Sequence, residues 1–373
     1  VDAVEELLAL AISEGVNLVV VGPEAALSVG IVDRFEAAGV PIVGPCKAAA
    51  QLEISKSFAK EIMHCASVPT ASYEVFTSRE ALERYLDRKG IPIVLKADGL
   101  ASGKGVFVIT DTSQLSPAMD QLFGELNVSK VVAEEMLSGF EVSCIFASNG
   151  RQIVPLAPAH DYKRLLDQDK GPNTGGMGSV CPTPRILAED LRWIGERCAQ
   201  PIIDAMIKRG APFKGFLYAG LMIDPNKPYD LGVRVLEYNT RLGDPECQSI
   251  MVRLKSDPLD LYEWITGDNN EVPELQWDDR IAACVVIGSD GYPEAPVRGD
   301  VISGIELAAL VPSTVVFHAG TTIDNRGELV ASGGRSLSVV GLGDSVSKAR
   351  QVAYQAVDMI QLRGRRIRRD IGL

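Results

Sequence analysis

Residues 96–111, KADGLASGKGVFVITD, set three glycines and two lysines between apolar flanks. A phosphate-binding P-loop needs G-x-x-x-x-G-K-[ST] at the opening of a helix. Here Asp98 stands where the first glycine belongs, and Gly105 replaces the Ser or Thr after Gly103-Lys104. The VFVIT that follows is β-branched and aromatic, which predicts a strand and not a helix. The segment therefore reads as strand, glycine loop, strand. Gly99, Gly103 and Gly105 would let backbone N–H groups converge on an anion. Lys96 would end the first strand, with Ser102 and Lys104 at the loop tip. An ordinary surface hairpin has the same composition, so the loop must be weighed with its surroundings.

Outward from that loop, the 373 residues suggest two or three domains at the usual ~100–200 residues each. A hydrophobic content of 46% with 23% charged residues is globular composition, and a net charge of −12 argues against a nucleic-acid-binding surface. Seven cysteines without a C-x-x-C pattern read as reduced thiols in a cytoplasmic protein. No apolar run approaches the ~18 residues of a membrane span. VDAVEELLALAISEG predicts a helix with Val1, Val4, Leu7, Leu8 and Ala11 on one stripe. NLVVVGP and VPIVGP flank a further helix as a βαβ pattern, which implies a parallel sheet with ligand loops at its strand ends. A βαβ sheet that begins with a helix lacks a first strand, so the expectation is a shortened beginning.

Further along, Ser55 is a candidate cap for a helix over 55–66, and Thr77 with Glu80 forms a candidate capping box. Asn149-Gly150 predicts a type I′ hairpin turn. Residues 158–184 read as one long polar functional loop. Helices are expected over 186–209, interrupted at Pro201. Two strands should flank DPNKP, and after a bridge near 268–279 a small α+β unit should follow. That unit has strands at 281–287 and 314–318 and a helix from Ser345 to Leu362.

Three other stretches could carry chemistry. In VVAEEMLSGFEVS, Glu134, Glu135 and Leu137 could serve an adenine and Glu141 a ribose, although a solvated acidic turn has the same composition. In VLEYNTRLGDPE, Glu237 and Asn239 lie two apart on a predicted strand and share a face. A carboxylate and an amide oxygen suit magnesium, but an acid and an amide at a strand edge are also plain surface. In HDYKRLLDQDKGPNTGGMGS, Asp161, Lys163 and Arg164 precede a flexible run at 171–178. Such a loop could clamp an amino acid, its amine on Asp161 and its carboxylate on a cation, or it could simply be solvated. His64, His318 and the arginines of RGRRIRRD lack partner patterns and read as structural or surface groups.

Taken in order, these blocks resemble the ATP-grasp superfamily and, within it, the phosphoribosylamine–glycine ligase family. VVVGPEA, GPCKAAAQLEISKSFAK, KADGLASGKGV, DYKRLLDQDKGPNTGGMG, GFLYAGLMID, LEYNTRLGDPE, VFHAGT and RRDIGL carry the likeness along nearly the whole chain. The resemblance implies an α/β and α+β multidomain chain. Residues 1–54 would be the remainder of a Rossmann-like domain, 55–265 an ATP-grasp domain with a lid subdomain about 68–137, and 270–373 a small α+β domain. It further implies that Lys56 and Lys96 contact ATP phosphates under a lid of Gly99–Gly105. Glu134, Glu135 and Leu137 would line the adenine pocket, Glu141 would bind ribose, and Glu237 and Asn239 would ligate Mg2+ or Mn2+. Gly22, Pro23, Glu24, Asp161, Lys163, Asn173, Thr174, Gly175, Gly176, Arg241, Gly243, Asp244, Pro245 and Glu246 would lie around glycine and 5-phosphoribosylamine, with Asp161, Lys163 and Arg241 catalytic. The implied partners are small molecules; no nucleic acid and no membrane are expected, and a monomer is favoured with the oligomeric state left open. Several positions depart from the family pattern. Roughly fifty or more residues before Val1, with a first strand and a phosphate loop, have no counterpart. Ala26, Tyr162 and Phe140 replace a proline, a histidine and an acid, and Gly220 stands where some relatives carry an extra acid.

Overall fold

A computed structural model describes residues 3–100 and 105–373. The chain divides into two compact units. The first comprises Val1–Pro155, Ala188–Leu242 and Leu259–Pro273; the second comprises Leu156–Leu187, Gly243–Pro258 and Glu274–Leu373.

The first unit opens with the expected βαβ arrangement. Strands Val19–Val20 and Ile42–Val43 pair in parallel. Around them Leu8, Ala11, Leu27, Ile31, Val32 and Phe35 form one apolar core. Of the stripe expected on the first helix, Leu8 and Ala11 are buried, Leu7 is exposed, and Val1 lies outside the described residues. Next comes an antiparallel sheet in the order Tyr73–Phe76, Val131–Glu135, Ile93–Ala97, Val106–Ile109. Leu82 and Leu86 of helix Arg79–Lys89 pack with its Ile93, Leu95, Val131 and Ala133. That helix is capped by Ser78, which accepts from Ala81 N, and not by Thr77 as the sequence suggested. Either hydroxyl can cap, and Ser78 is the one left in extended backbone immediately before the helix.

A second antiparallel sheet runs Val233–Asn239, Lys214–Ile223, Phe140–Asn149, Ile153–Pro155. The hairpin after Asn149 exists, but φ is positive at Gly150 alone. A type I′ turn needs positive φ at both central residues, so the expected turn type is replaced by one with glycine first. Helical residues 188–208 contain a π-helical turn at Gly195–Ala199 before Pro201. Proline has no N–H to give and its ring crowds the preceding turn, so the ladder loosens just upstream.

In the second unit a five-stranded sheet runs Thr314–His318, Arg335–Gly343, Ile281–Gly288, Gly178–Cys181, His160–Asp161, with every neighbour antiparallel. Helix Val346–Met359, capped by Ser345, lies across it. Contact is close enough that a Cβ at Gly341 would sit 2.4 Å from Ala353 N. The stretch 158–184, expected to be one loop, instead supplies two strands of this sheet and a hairpin of Arg164–Leu166 with Lys170–Asn173. Strands of two to four residues show no readable alternation, and Gly, Pro and Asp hide them further. The arginine-rich segment is ion-paired: Arg368, 1% exposed, meets both Asp169 and Asp370. All seven cysteines are unbridged. Among the described residues no helix is long and apolar enough to cross a membrane.

Candidate functional site

The glycine loop of the first unit springs from Ile93–Ala97 and returns into Val106–Ile109, with Lys96 opposite Val106. Ala97 N donates to Gly105 O at 2.7 Å and closes the base of the loop. Gly99 has φ +143°, a conformation that favours glycine. Ser102, Gly103 and Lys104 lie outside the described residues. Asp98, the residue that breaks the P-loop pattern, is a helix anchor. Its carboxylate accepts from Ser57 N at 3.1 Å, Ser57 Oγ at 2.5 Å and Ser55 Oγ at 3.0 Å. An anion at a helix N-terminus satisfies free N–H groups and the helix dipole together. Helix Lys56–Cys65 is thereby tied to the loop, and Lys56 Nζ donates to Gly99 O at 3.4 Å.

On the neighbouring strand, opposite Val94, Glu134 is 2% exposed. Its Oε2 lies 3.0 Å from Lys96 Nζ and 2.9 Å from Lys60 Nζ. Lys96 Nζ also donates to Leu236 O at 3.0 Å. Burial pushes the Lys60 ammonium down to about 8, against the opposing pull of the Glu134 carboxylate. Glu135 is exposed, and its carboxylate accepts from Ser72 N and Oγ, which ties two strands at the sheet edge. Leu137 and Glu141 are half-buried nearby in sequence.

Glu237 and Asn239 owe their orientation to a β-bulge. Gly220 pairs with Glu237 but Leu221 pairs with Val235, which leaves Leu236 as the extra residue. Val233 and Val235 are fully buried, and regular alternation would put Glu237 and Asn239 on the same buried face. The extra residue shifts the phase. Tyr238 turns inward, 2% exposed, while Glu237 and Asn239 are half-buried. Among the described residues no group of three or more His, Cys, Asp or Glu could hold a metal ion. Two hard oxygen donors fit a divalent cation that takes its remaining ligands from phosphates and water.

Next along the chain, Arg241 meets two carboxylates, Glu53 at 2.9 Å and Glu24 at 3.3 Å. Glu53 also accepts from Thr240 N and Oγ1. Burial raises its carboxyl above the usual range, and Arg241 works against that shift. Gly22 and Pro23 are exposed beside Glu24, Pro23 as the residue before helix Glu24–Ser28.

The second unit gathers most of the remaining predicted residues. A Cβ at Gly176 would lie 2.4 Å from Pro245 Cδ and 2.8 Å from Asp161 Oδ1, and φ there is +111°. Only glycine fits where these three residues meet. Thr174 N and Oγ1 both donate to Lys163 O, and Gly176 N donates to Thr174 Oγ1. Asn173 pairs with Arg164 in the exposed hairpin. A Cβ at Gly243 would meet the Glu246 carboxylate at 2.6 Å, with Glu246 2% exposed.

Sequence reasoning missed Arg335, the organiser of these loops. Its Nη1 donates to Gly175 O at 2.8 Å and Asp244 O at 2.7 Å, and its Nη2 to Asp244 Oδ2 at 2.8 Å. The only signal was an arginine beginning a strand directly after two glycines. Lys60, Glu53 and Asp98 were also missed as partners of the predicted residues.

Three family models match successive stretches of the sequence. The phosphoribosylglycinamide synthetase N domain matches residues 1–53, its ATP-grasp (A) domain residues 54–247 and its C domain residues 282–373. A phosphoribosylamine–glycine ligase of Ralstonia nicotianae is 47% identical over 376 residues, covering 99% of this chain and 86% of that one. One from Xanthomonas campestris is 45% identical over 100% of this chain and 86% of its own. The crystal structure of phosphoribosylamine–glycine ligase from Thermotoga maritima superposes with a TM-score of 0.81 at 35% identity, covering 95% of this chain and 85% of that one. A biotin carboxylase domain from Hydrogenobacter thermophilus, in complex with MgADP, shares the fold at TM-score 0.72 and 15% identity over 98% of this chain and 78% of its own. The chain belongs to the phosphoribosylglycinamide synthetase family of ATP-grasp enzymes, whose members are ATP-dependent phosphoribosylamine–glycine ligases.

Proposed function

We infer that this chain ligates glycine to 5-phosphoribosylamine at the expense of ATP, giving glycinamide ribonucleotide, ADP and phosphate, a step of purine biosynthesis. Within the chain, the observation that carries the reading is the bulge at Leu236, which turns a carboxylate and an amide oxygen off the core face. Residues 1–54, 55–265 with a lid about 68–137, and 270–373 serve as the functional divisions. Lys56 and Lys96 hold the phosphates, and Gly99, Ser102, Gly103, Lys104 and Gly105 take part in ATP binding. Glu134 and Leu137 line the adenine pocket, Glu135 shapes its wall through Ser72, and Glu141 takes the ribose hydroxyls. Glu237 and Asn239 would hold Mg2+ or Mn2+, whose charge would offset that on the transferring phosphoryl group.

Glycine's carboxylate is already ionised, so no base is needed for the first step. One of its oxygens attacks the γ-phosphorus of ATP, the bond to ADP breaks, and glycyl phosphate results. The amine of 5-phosphoribosylamine then attacks the acyl carbon, phosphate leaves, and Asp161 takes the proton released by the nitrogen. Asp161, Lys163, Asn173, Thr174, Gly175, Gly176 and Gly243, Asp244, Pro245, Glu246 orient the acceptor substrates, while Gly22, Pro23 and Glu24 flank Arg241. Lys163 and Arg241 neutralise anionic groups, so positioning and charge carry the catalysis. Unbridged cysteines support a reducing cytoplasmic setting.

The test is ADP release that requires both glycine and 5-phosphoribosylamine formed in situ. Release supported equally by another acid or amine would overturn the reading. Glu237→Ala should lower turnover by about 10²–10³-fold, the scale for losing one charge-stabilising contact, without loss of folded protein. Unchanged turnover would remove Glu237 from the metal site.

A further inference from the structure

Lys60 has no part in the reaction as read above, yet it is 1% exposed and lies at the centre of the first unit's charge cluster. Its ammonium shares one oxygen of Glu134 with Lys96, at 2.9 and 3.0 Å. Glu134 Oε1 is buried and has no hydrogen-bond partner among the described residues. Two cations therefore converge on one carboxylate oxygen, although a single lysine would neutralise it. The surplus matters once one cation is drawn elsewhere. A lysine pulled towards a phosphate would strand a buried carboxylate unless a second cation remained beside it. Lys60 is built to remain. Its Nζ donates to Thr70 Oγ1 at 2.7 Å, and Thr70 in turn donates to Val235 O at 2.6 Å. The ring of Tyr73 lies 5.8 Å away.

We propose that Lys60 is a positioning residue, the standing counter-ion of Glu134 that frees Lys96 to engage the phosphates of ATP. The proposal rests on the reading of Lys96 as a phosphate ligand. It explains why helix Lys56–Cys65 carries a buried lysine at a position where an apolar residue would pack at lower cost. Removing Lys60 leaves Glu134 with Lys96 alone, and that pair becomes a tether that nucleotide binding must break.

Calorimetric titration of the full chain with ATP and Mg2+ tests this. Lys60→Met should weaken ATP binding about tenfold or more, as breaking a buried pair demands, and Lys60→Arg should restore it. Lys60→Met with Glu134→Gln should bind more tightly than Lys60→Met alone, because the tether has gone. Within the Glu134→Gln background, where no carboxylate needs a partner, removing Lys60 also takes out a buried charge left unpaired, and the affinity of the folded protein should stay unchanged. Wild-type affinity in Lys60→Met, or a further tenfold loss in the Glu134→Gln background, overturns the proposal. Unchanged affinity in Lys96→Met overturns it too, and identifies the phosphate reading as the part at fault.

Discussion

Glu134 in the first unit is 2% exposed and held between two buried lysines, whereas the Asp244 side chain in the second unit is 48% exposed and meets Arg335 at 2.8 Å. Both are carboxylates gripped by cations, but the surroundings give them different work. The charges around Glu134 have been taken out of water, so their geometry is fixed by the cost of leaving any of them unpaired. The pair in the second unit remains wet. Its value lies in where Arg335 sends its other hydrogen bonds, to the carbonyls of Gly175 and Asp244. One region is held by buried ions and the other by backbone cross-links through glycine turns.

Glu134→Ala against Asp244→Ala breaks or upholds that contrast most directly. Glu134→Ala leaves two lysines buried without their carboxylate and should destabilise the protein by about 3–5 kcal/mol. Asp244→Ala should cost no more than about 1 kcal/mol, the scale of a solvent-exposed pair. Urea unfolding of the two variants measures both, and equal losses would show that burial does not separate the regions. pH sharpens the comparison. The Lys60 ammonium is depressed by burial to about 8 from 10.5. Between those values the unfolded chain binds more protons, so this group makes the protein more stable as pH rises from about 8 to about 10.5. Relative to Lys60→Met, the wild type should gain roughly 3 kcal/mol over that window, at 1.36 kcal/mol per unit. A flat difference would mean that Lys60 keeps its ordinary affinity for protons despite its burial. Gly176→Ala probes the other region. The new Cβ meets Pro245 and Asp161 at a φ of +111°, which should cost about 1–3 kcal/mol of strain. If Gly176 belongs to the acceptor site proposed above, KM for glycine should rise while KM for ATP holds. A change in KM for ATP instead would move Gly176 out of the acceptor site.

What the sequence revealed and concealed follows the same physics. The strand, loop, strand of 96–111 was legible because β-branched and aromatic runs flank the glycines, and the face shared by Glu237 and Asn239 followed from strand alternation. That those residues leave the buried face depended on a one-residue bulge at Leu236, which alternation alone does not reveal. Glu53 receives the backbone N–H of Thr240 from 187 residues away, and no local pattern encodes such a partner. Lys60 was concealed in another way. A lysine on an amphipathic helix reads as solvent-facing, and the partners that surround it here, Glu134, Thr70 and the Tyr73 ring, come from elsewhere in the chain. The hairpin at 164–173 stayed hidden because its strands are three and four residues long.

The smallest expected effect concerns the residue that defeated the P-loop pattern. Ser55 Oγ accepts from Phe58 N as the helix cap and donates to Asp98, whose carboxylate also takes Ser57 N and Oγ. Ser55→Ala removes one acceptor from the helix start but leaves Asp98 in place, so the loss should be about 1 kcal/mol. Asp98→Ala removes the shared anchor and releases three donors at once, and should cost more, because the link from the helix to the start of the glycine loop is then reduced to the 3.4 Å hydrogen bond from Lys56 to Gly99 O. Thermal unfolding ranks the two. If Ser55→Ala proves the more damaging, the helix is held by its own cap and the loop merely rests against it. If Asp98→Ala does, the carboxylate in the place of the first P-loop glycine fixes a helix N-terminus to the start of the glycine loop through a side chain, where the P-loop does so through its backbone.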